Sequence, residues 1–166
     1  AGTISDGVFA KVPAEISYMD SNNTKWSYIE LEEGREPEAE NEIIMDKAAL
    51  ELLGVTPEIG AEISLTYQIS DKNQNGGSRT DTFVLAGWWE YDAISPVHFI
   101  NVSRAYVKNL EKEMEKEGME PFRTDLSVML PSSMNIDGTM EEIEKDLGYQ
   151  RENPDAENYV NYGVNW

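Results

Sequence analysis

The chain is 166 residues long and 40% hydrophobic, enough to bury about 70% of its unfolded surface in one domain or two closely packed subdomains. Its 32 acidic and 13 basic residues give a formal charge of −19, so nucleic acid and anionic membrane surfaces are repelled while a cationic partner is admitted. Cysteine is absent, which excludes disulfides and thiolate chemistry, and no apolar run reaches the roughly 20 residues that span a bilayer.

Residues 8–18 alternate in polarity and predict a long half-buried strand, with Pro13 forcing an edge position or a break. Residues 20–23 read as a turn and residues 26–31 as a second strand. Gly34 and Pro37 then punctuate an acidic turn, and the apolar triplet 43–45 is too short for a helix and reads as a strand. Asp46 is placed to cap a short helix over about 47–53, whose buried stripe is Ala49, Leu50 and Leu53. Gly54 ends that helix, and Thr56, Pro57 and Gly60 turn the chain into a strand alternating through Ile63, Leu65, Tyr67 and Ile69.

Residues 71–80 predict a polar hairpin loop, with residues 81–86 returning as a strand. Gly87 suggests a bulge or a close backbone approach, and residues 97–102 form another short strand. Composition then turns helical. Ser103 is a candidate N-cap, Val102 and Val107 a hydrophobic staple, and Tyr106, Val107, Leu110 and Met114 an apolar stripe ending at Gly118. Alternation over 122–130 predicts a strand, and Thr139 with Glu142 predicts a capping box for a helix ending at Gly148. The expected fold class is α+β: a mixed or antiparallel β-rich subdomain over 1–100, and a small strand-helix-strand-helix subdomain over 101–166.

Candidate chemistry is sparse. Asp71, Asn73 and Asn75 match the first half of a calcium loop, but the twelfth position is Thr82 rather than a bidentate Glu, and plain hairpin chemistry explains the same residues. His98 is the only histidine, lies in an apolar strand and has no metal-spaced partner; no nucleophile elbow accompanies it. The acidic groups Glu30, Glu32 and Glu33, and Glu38, Glu40 and Glu42, read as solvated turns. Trp88, Trp89 and Tyr91 form the densest aromatic cluster and are the candidate partner-binding residues; adjacent tryptophans on a strand face opposite ways, so one is expected in the core and the other toward a partner. No catalytic residue, resident metal or cofactor is assigned.

The run Glu33-Gly34-Arg35-Glu36-Pro37 through Glu42-Ile43-Ile44-Met45-Asp46, followed by Leu52-Leu53-Gly54-Val55 and then Ile59-Gly60-Ala61-Glu62-Ile63-Ser64-Leu65, resembles the extracytoplasmic segment of FtsX-family ABC transporter permeases, which carry the MacB-like periplasmic core domain. Phe83 to Glu90 resembles the family's Phe-x-Leu-x-Gly strand, Ile100 to Ser103 the strand-to-helix step after it, and Tyr162 to Trp166 the approach to a transmembrane helix in the Gram-positive type. The likeness covers 1–105 best. Family members have a longer segment before the Gly-Arg-x-Pro turn, so this chain is expected to be a short or trimmed version that leaves a sheet edge open.

The resemblance implies a non-catalytic domain outside the cell membrane that binds substrate or partner and transmits conformational change. Its expected partners are the rest of the permease, a separate ATP-binding subunit, and the membrane through flanking helices, with export or sensing of lipid, lipoprotein or antimicrobial peptide. The acidity adds a cationic or amphipathic ligand. The alternatives are a stand-alone cell-surface binding module and, less favoured, an acid-based hydrolase with two carboxylates roughly 5 to 9 Å apart. Gly34, Pro37, Asp46, Gly54 and Gly60 are expected to be architectural.

Overall fold

The structure, a computed structural model, describes residues 2–5, 7–71, 76–93, 95–120, 122, 126–131 and 135–161. It is α+β and divides into two units, Ala1–Asp125 and Leu126–Trp166. The division falls later than the expected boundary at 100, because the strand that straddles that point is built into the middle of a sheet.

The strands of the first unit are β1 (Gly2–Ile4), β2 (Ala14–Ser17), β3 (Glu33–Gly34), β4 (Glu42–Asp46), β5 (Glu62–Ser70), β6 (Gly76–Trp89) and β7 (His98–Val102). Its helices are α1 (Ser21–Trp26), α2 (Lys47–Leu52) and α3 (Arg104–Lys116). Six strands close into a barrel in the order β1-β2-β7-β4-β6-β5, with β5 returning to β1; β3 pairs with the end of β6. The pairs β2/β7 and β4/β6 are parallel and the others antiparallel. Closure removes the edge that the short N-terminal region was expected to leave open, since β1 bridges β2 and β5.

The alternation of β5 is fully expressed: Ile63, Leu65, Tyr67 and Ile69 are buried and the residues between them exposed. Ile43 and Met45 join these residues in the barrel core, while Ile44 points outward into a second cluster with Ile29, Ala86 and Trp89. An apolar run buried on both faces explains the continuous triplet. The outer cluster is completed by Met19, Leu31 and Phe99. Helix α3 lays Tyr106, Leu110 and Met114, spaced at i, i+4 and i+8, on the barrel core. None of the described helices is long and apolar enough to cross a membrane.

Four sequence expectations are corrected. Only the second half of the 8–18 strand exists, because a 3-10 turn at Gly7–Phe9 and the bends after it precede β2. Ser21–Trp26 form a helix rather than a turn and the start of a strand, capped by Asp20, which accepts from Asn23 N at 2.8 Å, while Thr24 Oγ1 donates to Asp20 O. The described residues between 122 and 130 are not strand, and Leu126 and Met129 are exposed. Helix α4 (Ile136–Leu147) starts three residues before the proposed capping box, with Asn135 accepting from Gly138 N. Its end at Gly148, in the left-handed region, is as expected.

Candidate functional site

The turn between β3 and β4 is held by one carboxylate. Glu42 takes both guanidinium branches of Arg35, at 2.9 and 2.7 Å, and also accepts from the backbone N–H groups of Glu38 and Ala39 at 2.9 and 3.0 Å. Four donors on one carboxylate, two of them charged, hold the Glu42 pKa down at about 2, chiefly through Arg35. Arg35 Nη1 also donates to Glu36 O, closing the loop on itself. Gly34 adopts φ +88° where Ala86 O and Gly87 Cα would meet any β-carbon, so the turn lies directly on β6. Glu42 is thus an ion-paired clamp and not the solvated acid its neighbourhood suggested.

This rigid turn forms one wall of an open cleft of about 390 Å³. Glu36, Pro37 and Glu38 stand on that side, Tyr18, Met19, Asp20 and Ser21 come from the β2–α1 junction, and Val102 and Arg104 from the β7–α3 junction. Val102 is buried, Met19 and Pro37 are half-buried, and Tyr18 is 42% exposed, so the cleft offers apolar surface beside charge. Neither Glu36, Glu38 nor Arg104 forms a salt bridge among the described residues. Asp20 is tied to the start of α1. Ser17 and Asn101 are register partners on β2 and β7, each one residue before a residue that lines the cleft, Tyr18 and Val102. Asn101 is 2% exposed; its Oδ1 accepts from Ser17 Oγ, and its Nδ2 has no partner among the described residues.

His98 has a buried partner that the sequence did not reveal. Its Nδ1 lies 2.8 Å from Asp46 Oδ2, with both residues almost wholly enclosed. Asp46 Oδ1 meanwhile accepts from Ala49 N as the expected cap of α2. Burial pushes the Asp46 carboxyl up, opposed by the Ala49 N–H and by His98. The Tyr91 ring stacks on His98 at 4.3 Å and Phe9 lies at 5.8 Å. The pair thereby joins β4, β7 and α2 inside the protein.

A second buried network joins α3 to the barrel. Tyr67 and Tyr106 both donate to Asp81 Oδ2, at 2.7 and 2.8 Å, and their hydroxyls also touch. Burial raises both phenols, Tyr67 to about 12. Beside them Arg79 pairs with Glu113 at 2.6 Å.

The aromatic cluster is split by a bulge. Ile43 pairs with Leu85 but Ile44 with Gly87, so the extra residue Ala86 reverses the parity of the strand beyond it. Trp88 therefore packs against the barrel core, and Trp89 goes to the outer cluster at 6% exposure. Trp88 retains a polar rim: its Nε1 donates to Glu33 at 3.4 Å, and Lys47 Nζ sits 5.7 Å from its ring centre while pairing with Glu90. Tyr91 is half-buried and donates to Ser95 O. Of the three candidates, Trp88 and Tyr91 offer partial surface and Trp89 is enclosed. In the half-matched calcium loop, Asn73 and Asn75 lie outside the described residues; Asp71 is buried and its Oδ2 accepts from Glu120 N. Thr82 lies within β6, and no metal-holding group of His, Asp and Glu occurs among the described residues. No protein-family model matches the chain, and no curated protein matches it either.

Proposed function

We propose that this chain is an extracytoplasmic domain of an FtsX-family ABC transporter permease, non-catalytic itself, that binds substrate or a partner and passes conformational change to the membrane-embedded part. ATP hydrolysis belongs to a separate cytoplasmic subunit, and the cargo or signal is a lipid, lipoprotein or antimicrobial peptide. The observation that best supports a binding role is the placement of the run 33–46, which carries the resemblance: it is clamped by Arg35 and Glu42 and presents Glu36, Pro37 and Glu38 to an open cleft. A rigid wall beside apolar surface suits recognition, because little ordering remains to be done on binding. The enclosed His98–Asp46 pair supports the same reading, since the chain's only histidine is committed to holding β7 to the α2 cap.

These 166 residues contain no cysteine, so labelling of a single introduced cysteine, measured over the parent gene product, reports on this domain. Glu58→Cys, at an exposed position, is introduced into the full-length gene product in its host. The expected result is labelling by a membrane-impermeant maleimide in intact cells, together with co-purification of an ATP-binding subunit. Labelling only after lysis refutes the extracytoplasmic placement. Labelling without an ATP-binding partner refutes the permease and leaves a surface binding module.

A further inference from the structure

We propose that the half of β6 lying beyond its contact with β4 is an edge on which two copies of this chain pair, antiparallel and in one register centred on Thr80. The inference is independent of the permease reading. β6 runs for 14 residues, but β4 covers only residues 84–89, so residues 76–83 have β5 on one side and, among the described residues, no strand on the other. Val84 N donates away from β5, to Asn41 O, whereas Leu85 N donates on the β5 side, to Ala61 O. Backbone groups alternate along a strand, so the N–H and C=O of Ser78, Thr80 and Thr82 point to the empty side. All three residues are exposed, and no described backbone group bonds to them there. Such edges are ordinarily guarded by lysine, proline or a bulge. None of these falls within 76–83. Arg79, Asp81 and Phe83 turn to the face that meets Glu113 and Tyr106, and the Thr80 hydroxyl bonds to that of Thr66 at 2.9 Å, which leaves the edge clear of charge.

Sequence selects both the occupant and the register. A two-fold contact needs a surface complementary to itself. Centred on Thr80, antiparallel pairing sets Thr80 against Thr80 of the second copy, Ser78 against Thr82, and Arg79 against Asp81, a pairing of opposite charges on one face. Centred one residue earlier, the two Arg79 side chains oppose each other; centred one later, the two Asp81 carboxylates do. Asp81 commits Oδ2 to both tyrosines, so Oδ1 is left for the arginine of the second copy. The net charge of −19 opposes contact between copies at long range, so the association is weak and strengthens as salt screens it.

The test follows sedimentation of the 166-residue chain from roughly 10 μM to roughly 1 mM, the range of weak contacts, at about 200 mM salt. Reversible dimer formation is expected, several-fold weaker at about 20 mM salt. Thr80→Pro removes a donor that the fold leaves unused and places the ring on the edge, and should weaken association at least about tenfold with Tm little changed. Register is read with cysteines, which the chain otherwise lacks. Directly opposed in a hydrogen-bonded pair, the two Cα atoms at position 80 lie about 5.5 Å apart, within disulfide range. Thr80→Cys should therefore form a covalent dimer under oxidised glutathione, Ser78→Cys alone should not, and Ser78→Cys mixed with Thr82→Cys should form the mixed dimer. Glu58→Cys, exposed and outside the edge, sets the collision background. A parent chain that stays monomeric throughout the series, or association that survives Thr80→Pro in a folded variant, overturns the edge. Ser78→Cys cross-linking with itself, or Thr80→Cys cross-linking no faster than Glu58→Cys, overturns the register, and this series decides the matter even where Thr80→Pro fails to fold.

Discussion

Replacing Glu42 by Gln removes the charge from the carboxylate that organises the cleft wall. A folded pKa of about 2 against an ordinary value of 4.5 corresponds to a ceiling of about 3 kcal/mol of pH-linked stability. Arg35 has a side chain 53% exposed, so water screens the pair and the expected contribution is about 1–2 kcal/mol. The folded pKa is depressed, so this stability is fully present above about pH 5 and is lost as pH falls from there toward about 2. Urea unfolding followed by tryptophan fluorescence should therefore show Glu42→Gln less stable than the parent by about 1–2 kcal/mol at neutral pH, with the gap closing near pH 2. Comparing the two proteins at each pH cancels the titration of the other acids. A variant as stable as the parent at neutral pH, or a gap that persists undiminished at the acid end, refutes the clamp.

Two further perturbations probe the frame. Asp46→Ala leaves His98 buried without its partner and removes the α2 cap, and should cost about 3–5 kcal/mol in chemical denaturation; Asp46→Asn, which can still accept from Ala49 N, should cost less, and equal losses would show that the cap adds nothing beyond the His98 contact. Gly34→Ala meets the backbone of Ala86 and Gly87 and should lower Tm sharply, whereas Gly54→Ala has open space and bears only the left-handed penalty of about 1–2 kcal/mol; similar Tm losses would refute the close approach of the turn to β6.

Where local chemistry decided structure, the sequence was readable. The Asp46 and Ser103 caps, the ends at Gly54, Gly118 and Gly148, and the alternation of β5 all rest on signals within a few residues. Helix α1 was hidden because its end is marked by Tyr28, a non-glycine residue at φ 57°, and not by a glycine. Barrel closure was hidden for a different reason: β1 has three residues, too few to show a period, and β4 is inserted between β6 and β7 by pairings that no local pattern encodes. For the site, the acidic turn was visible, but its division into one clamping acid, Glu42, and the cleft-facing carboxylates of Glu36 and Glu38 depends on where Arg35 reaches. His98 likewise met Asp46 only through tertiary pairing of β7 beside β4.

The closed barrel also sets demands on assembly. The β5–β6 hairpin is local and can form on the scale of about 1–10 μs, while β2/β7 and β4/β6 are parallel and require chain crossovers. The ring also requires Thr3 and Ile4 to reach Gln68 and Tyr67, partners far along the chain that no hairpin brings near. Until then β2 and β5 each expose a row of unpaired backbone groups, and refolding at high concentration favours strand exchange between chains over closure within one. The short β1 strand thus acts as a latch on solubility during folding, although it buries little surface of its own.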